Sequence, residues 1–127
     1  MSNWINIVEL EQTWYNKLNE MFDKVYINNA PQAFVEQTRN YAVVSIGNSI
    51  SNTGAYKESY GYIYMYTRNK ESGVQDSYRI EEIVNRVLEL FPVTTSLFSA
   101  ISPSIGYRTK EGEYTMAMVR FRIIINQ

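Results

Sequence analysis

A tyrosine at every second position is the strongest constraint on how this chain can fold. The stretch YGYIYMYTR, residues 60–68, contains this alternation at Tyr60, Tyr62, Tyr64 and Tyr66. An extended chain places every second side chain on one face, so the pattern predicts a β-strand. The opposite face carries Gly61, Ile63 and Met65. We expect this second face to meet a core, while the tyrosines lie on the other side of a sheet.

Two segments have helical periodicity. Residues 77–91 repeat apolar side chains at helical spacing, in the stripe Ile80, Ile83, Val84, Val87, Leu88 and Phe91. Asp76 or Ser77 can cap this helix, and Pro92 ends it. Residues 3–25 predict a first helix, with Ser2 or Asn3 as its cap and with Glu11 interrupting its stripe. That stripe consists of Trp4, Ile7, Trp14, Leu18, Met21 and Val25.

Further strands are predicted on either side of these elements. YAVVSIG, residues 41–47, is rich in β-branched residues and stops at a glycine. SIGYRTK and EYTMAMVRFRIII flank a turn at Glu111 and Gly112 and predict a C-terminal hairpin. One face of the last strand contains Thr115, Ala117, Val119, Phe121, Ile123 and Ile125. Its other face contains Tyr114, Met116, Met118, Arg120 and Arg122.

Two segments lack a clear period. The polar stretch NSISNTGAYKES, residues 48–59, predicts a long exposed loop, and such loops in compact domains often carry function. Its candidate contact residues are Asn52, Thr53, Tyr56 and Lys57. In residues 93–104 we expect the edge of the core to be filled by Leu97, Phe98 and Ile101. The whole pattern predicts one α+β domain over residues 1–127, with two main helices on a mostly antiparallel four-stranded sheet.

Composition argues against several functions. Twelve basic and thirteen acidic residues give a net charge of −1, whereas proteins that bind duplex nucleic acid usually have a basic excess. The chain has no cysteine and no histidine, which excludes thiolate sites and Ser-His or Cys-His nucleophiles. We therefore expect a non-enzymatic protein without a cofactor or metal. No apolar run is long enough to span a bilayer, and the first residues lack the pattern of a signal peptide, so we expect the protein in a cytoplasm.

The tyrosine pattern leaves three interpretations open. Four accessible rings can stack on the bases of a single-stranded nucleic acid. A helix of the same chain can cover the rings as a second core layer. A neighbouring subunit can also cover them, since Tyr, Met and Arg are enriched at protein–protein interfaces. The predicted contact residues for this last interpretation are Tyr60, Tyr62, Tyr64, Tyr66, Met116, Met118, Arg120 and Arg122.

The order of these elements resembles the tail terminator proteins of long-tailed bacteriophages, also described as tail completion or head–tail joining proteins. A helix, the strand YAVVSIG, a long loop, the strand YGYIYMYTR, the helix SYRIEEIVNRVLELF and a hairpin ending in VRFRIII carry the resemblance over residues 4–125. It implies a hexameric ring that caps the tail tube in the host cytoplasm and then lies at the tail–neck junction of the virion.

The resemblance also implies partners. These are further copies of the chain, the tail tube protein and a neck or head-completion protein, with DNA passing through the ring without sequence-specific binding and with no membrane contact. We expect some of the basic residues Arg120 and Arg122 to face that lumen. The alternatives are a single-stranded nucleic-acid-binding module that uses the Tyr60–Tyr66 face, or a neck or head-completion adaptor.

Overall fold

The computed structural model describes residues 7–28, 40–47, 51–52, 57–69, 76–111 and 114–125. The elements in chain order are α1 (Ile7–Leu18), β1 (Lys24–Ile27), β2 (Asn40–Ile46), β3 (Ser51–Asn52), β4 (Lys57–Arg68), α2 (Ser77–Leu88), β5 (Val93–Thr94), β6 (Phe98–Glu111) and β7 (Tyr114–Ile125). Neither of these two helices is long and apolar enough to cross a bilayer.

The strands form one mixed, curled sheet that resembles half of a barrel. Six of them follow the order β1-β2-β4-β7-β6-β5, and the short β3 pairs with β4 beside this path. β1 runs parallel to β2, and the other pairs are antiparallel. The predicted four-stranded antiparallel sheet is therefore wrong. The missed strands β1, β3 and β5 contain two to four residues each, too few to show a two-residue period.

The first helix is shorter than predicted. It ends at Leu18, and Lys24–Ile27 is a strand rather than the end of a helix. Phe22 and Val25 belong to the same buried cluster as Trp14, but they reach it from a turn and a strand. Their spacing therefore imitates a helical stripe. The predicted cap residues Ser2 and Asn3 lie outside the described residues, as does Trp4.

Local hydrogen bonds fix the start and end of β1. The Asp23 backbone N–H donates to Asn40 Oδ1 (2.8 Å), and the Asn40 N–H donates to Asp23 Oδ2 (3.4 Å). This exchange aligns the first residues of β1 and β2. Asn28 ends β1 in the left-handed region, with φ of 70°, and its Nδ2 donates to Glu11 Oε2 at 3.1 Å. Glu11, which interrupts the helical stripe, thus joins α1 to the end of the strand.

Both helices pack on one face of the sheet and form the core with it. Trp14 of α1 is fully buried between Phe121 of β7 and Phe91, with ring centroids 4.8 and 5.2 Å away. Around this aromatic group the core contains Leu10, Leu18, Ile80, Ile83, Val84, Val87, Ala42, Val44, Ile63, Met65, Ala117, Val119 and Ile123. The predicted core faces of β4 and β7 are confirmed, and so is the predicted stripe of α2 as far as Leu88. The helix ends there rather than at residue 91, and Phe91 packs against the core from beyond its end.

The C-terminal hairpin is confirmed, but its first strand is longer than predicted. β6 begins at Phe98, so most of residues 93–104 are strand. Phe98 is buried in the core, whereas Leu97 is exposed and Ile101 is half-buried. The pairing of β6 with β7 shifts between Ile101 and Ser104 and again after Ile105. Such bulges interrupt the alternation of side chains, which hides the strand from pattern analysis.

The predicted loop over residues 48–59 is wrong at both described parts. Ser51–Asn52 form β3, and Lys57 already belongs to β4. The polar first residues of β4 pair with Ile123–Ile125 of β7. Ser59 is buried and donates its hydroxyl hydrogen to the carbonyl of Gly47 at 2.9 Å. Pairing with an apolar strand, rather than local composition, makes this segment extended.

Candidate interaction face

Strand pairing brings the predicted contact residues of β4 and β7 together on one surface, which we call the tyrosine face. Side chains of directly paired residues lie on the same side of a sheet. The antiparallel register pairs Tyr60 with Arg122, Tyr62 with Arg120, Tyr64 with Met118 and Tyr66 with Met116. Two strands that are far apart in the sequence thus form one face of tyrosine, methionine and arginine, in which Met116 is buried and the other residues are half-buried or exposed.

The tyrosine face lies opposite the helices. The buried residues of α1 and α2 belong to the core on the other side of the sheet. On the tyrosine face, a separate small cluster consists of Tyr41, Val43 and Tyr114, with Tyr26, Tyr64 and Tyr66 packed against it. These are all strand residues. Among the residues that the structure describes, neither α1 nor α2 packs on this face, so neither of the two main helices forms a second core layer on the tyrosines.

One end of the face, which we call the aromatic end, is a network of rings around Tyr41. The rings of Tyr41 and Tyr66 stack with centroids 4.4 Å apart and planes 6° apart. Tyr26 and Tyr114 meet Tyr41 edge-on at 6.0 and 5.3 Å. Arg68 lies 5.4 Å from the Tyr114 centroid, and its Nη2 donates to the Tyr114 hydroxyl at 3.4 Å. These contacts hold the rings in fixed positions.

The other end, which we call the arginine end, is polar. The Arg120 guanidinium lies 4.1 Å from the centroid of the Tyr60 ring, in a cation–π contact. Arg122 Nη2 lies 2.5 Å from Glu58 Oε2. Beside them is a recess of about 180 Å³, and its walls consist of Tyr60, Ser102, Ser104, Arg120, Phe121 and Arg122.

The sequence did not identify Tyr26, Tyr41, Glu58, Ser102 or Ser104 as parts of this surface. Tyr41 was visible as the first residue of the strand YAVVSIG, but its position opposite Tyr66 depends on the β2–β4 register. The two serines lie on β6 and reach Arg120 and Arg122 only because β6 pairs with β7. A pattern among residues close in the sequence cannot show that these residues are neighbours in the fold.

The ring geometry weakens the interpretation that the tyrosines form a ladder for bases. Stacking needs an accessible ring face. Tyr66 has one face against Tyr41, and Tyr60 has one face against Arg120. Tyr62 and Tyr64 are nearly parallel, 18° apart, with centroids separated by 6.3 Å. The four rings therefore contact neighbours of their own chain rather than standing as a series of open platforms.

The predicted loop contacts do not form a loop site. Asn52 of β3 pairs with Lys57 of β4, so both backbones belong to the sheet. Thr53 and Tyr56 lie outside the described residues. Among the residues that the structure describes, no group of three or more acidic side chains is suited to holding a metal ion.

Comparison with known proteins adds information on the fold. A solved protein structure superposes on this chain with a TM-score of 0.63 and 12% sequence identity, and the match covers 99% of this chain and 98% of that one. At so low an identity, the likeness shows the fold alone. No protein-family model matches the chain, and no curated protein matches it.

Proposed function

We propose that this protein is a non-enzymatic structural component that assembles into a closed ring, caps the tail tube of a bacteriophage or prophage and joins the tail to the head. One observation carries the assembly part of this proposal. The register of β4 and β7 gathers tyrosine, methionine and arginine on a sheet face that neither helix covers. The tail terminator role rests in addition on the order of elements in the sequence.

The aromatic end has the properties of a subunit contact. Tyr64 and Tyr66 are half-buried, so each ring still has surface that a partner can cover. Aromatic residues contribute a large share of the binding energy at protein interfaces, chiefly when neighbours already fix their rings. The Tyr66 ring stacks on the Tyr41 ring, so both rings are already held in position before a partner binds. Binding at this end therefore costs little side-chain entropy.

Charge suggests which surface of the next subunit meets this face. Acidic side chains outnumber basic ones in residues 7–23 and 76–89, which contain the two helices and the residues that flank them. Exposed carboxylates there include Glu9, Glu20, Glu81, Glu82 and Glu89. The tyrosine face carries Arg68, Arg120 and Arg122 against Glu58. We therefore place the tyrosine face of one subunit on the helical layer of the next. Such a contact joins two different patches of neighbouring subunits. It forms a closed ring when the rotation from one subunit to the next adds up to a full turn.

Absolute mass by light scattering over a wide concentration range tests this proposal. The wild-type protein should rise from 14.8 kDa to the mass of a closed ring. Tyr62→Glu should remain monomeric, because it places a negative charge in the middle of the contact, opposite the acidic helical side of the next subunit. Thr94→Glu is the matched control, since Thr94 is exposed on β5 at the edge of the sheet and this variant should assemble as the wild type does.

Two results would contradict the proposal. One is a wild-type protein that stays monomeric at every concentration and also fails to bind purified tail tubes. The other is a ring that Tyr62→Glu forms as readily as the wild type. Binding to the end of a tail tube, seen by electron microscopy, distinguishes a tail terminator from a neck or head-completion adaptor, which would bind the head side instead.

A further inference from the structure

The recess at the arginine end has the construction of an anion site. It lies where three strands meet, because β7 pairs with β4 on one side and with β6 on the other. Arg120 of β7 is directly opposite Ser104 of β6. The register shift before Ser104 places Ser102 in the left-handed region, with φ of 55°, and Ser102 also lines the recess.

Arg120 has hydrogen-bond donors to offer in this recess. Its guanidinium carbon lies 4.1 Å from the centroid of the Tyr60 ring, in a cation–π contact. A guanidinium carries five N–H donors, more than this one contact can use. Over the described part of the chain, Arg120 has no hydrogen-bond or ion-pair partner. The contact with Tyr60 therefore holds the group at the recess and leaves hydrogen-bond donors available.

The hydroxyls around the recess complete a set of donors. Ser102 and Ser104 are exposed side chains, and neither hydroxyl has a hydrogen-bond partner within the described ranges. The Tyr60 ring forms another part of the wall. Donors thus line the recess from two strands, with Ser102 and Ser104 on β6 and Arg120 on β7. A tetrahedral oxyanion can accept hydrogen bonds from several directions, whereas a planar carboxylate accepts them within one plane.

The charge of the recess fits one anionic group. Glu58 neutralises Arg122 through their ion pair, and Arg120 supplies one further positive charge. The volume of about 180 Å³ gives room for one such group and its hydrating water. We propose that this recess binds a phosphate group. The site belongs to a single subunit and does not require a ring, so its failure and the failure of the proposed assembly are separate results.

Titration of the full-length, ¹⁵N-labelled protein with sodium phosphate at constant ionic strength tests the site. Saturable shifts should appear at Tyr60, Ser102, Ser104 and the Nε–H of Arg120, and sodium acetate should not reproduce them. Arg120→Gln should weaken phosphate binding by about tenfold or more, since hydrogen bonds to charged groups are the strong ones. Arg86→Gln is the matched control, because Arg86 is exposed on α2 on the opposite side of the sheet.

A conservative variant and a second probe refine the test. Arg120→Lys keeps the charge but loses the flat, forked group, so it should bind phosphate more weakly than the wild type. A ten-nucleotide oligothymidine distinguishes the sources of the phosphate group. Binding that exceeds phosphate binding, falls with salt and is lost in Arg120→Gln identifies a nucleic-acid backbone. If the protein binds phosphate and does not bind the oligothymidine more tightly, the ligand is a free phosphate or a small phosphorylated molecule.

Three outcomes would overturn the proposal. They are shifts that do not saturate, equal shifts with acetate, and phosphate affinity that is unchanged in an Arg120→Gln protein whose spectrum shows the native fold. Arg120 is exposed and its contact lies on the sheet surface, so the variant should fold.

Discussion

Gly61 shows at the scale of one residue how the core limits the sequence of the tyrosine strand. Between two half-buried tyrosines, the core side of β4 has no side chain at this position, and the Phe121 ring occupies the space. Phe121 in turn contacts Trp14 and Phe91. A glycine in a strand interior often marks such a close approach.

We predict that Gly61→Ala destabilises the protein. A Cβ atom there would lie 2.3 Å from Cζ of Phe121, whose ring cannot move away because two other rings hold it. The expected loss is about 1–3 kcal/mol in the free energy of unfolding, measured by urea denaturation. Gly106→Ala is the control. Its Cβ would meet the terminal methyl of Met118, a flexible group that can rotate away. An equal loss for both variants would contradict this explanation.

At the scale of elements, the long periodic segments were predictable and the short ones were not. α2, β4 and β7 contain 12 residues each, and their apolar periods extend over enough of that length to identify the element and its buried face. β1 and β5 exist because longer neighbours supply their hydrogen-bond partners. The same is true of the first residues of β4, whose polar composition is typical of a loop.

The cap of α2 provides a prediction at this scale, because the sequence left two candidates open. In the structure Asp76 is the N-cap, and its Oδ1 accepts a hydrogen bond from the Arg79 N–H at 3.2 Å. Asp76→Ala should therefore lower the free energy of unfolding by about 1 kcal/mol. Ser77→Ala should change it by only a few tenths, since Ser77 is an exposed first residue of the helix. Thermal unfolding of both variants measures the difference, and the reverse order would assign the cap to Ser77.

At the scale of the whole molecule, the sheet separates a helical side rich in acidic residues from the tyrosine face, which carries arginines. In the assembly that we propose, these two sides of neighbouring subunits meet. The helical side also presents an exposed aromatic residue, Tyr78, which is 87% accessible at the start of α2 and lies close to Glu81 and Glu82. An exposed tyrosine beside carboxylates is a suitable partner for a surface of tyrosine and arginine.

We predict that Tyr78→Ser weakens ring assembly without destabilising the subunit. The side chain makes little contact within its own chain, so the unfolding temperature of the monomer should stay unchanged. Loss of an interface aromatic should raise the concentration of half-assembly by about tenfold or more, which light scattering measures. Thr94→Ser, exposed at the sheet edge, serves as the control. Assembly of Tyr78→Ser at the wild-type concentration would place the contact elsewhere.

The sequence by itself determined the second helix, the two long antiparallel strands and which of their side chains meet the core. Periodicity decides these features because burial of one face follows from the repeat of the backbone. Only the tertiary structure decided the size of the sheet, the parallel pairing of β1 and the neighbours on the tyrosine face. The proximity of Arg120 to Ser104 and of Tyr41 to Tyr66 depends on strand register. Register is set by hydrogen bonds and packing between distant segments, and no local pattern records it.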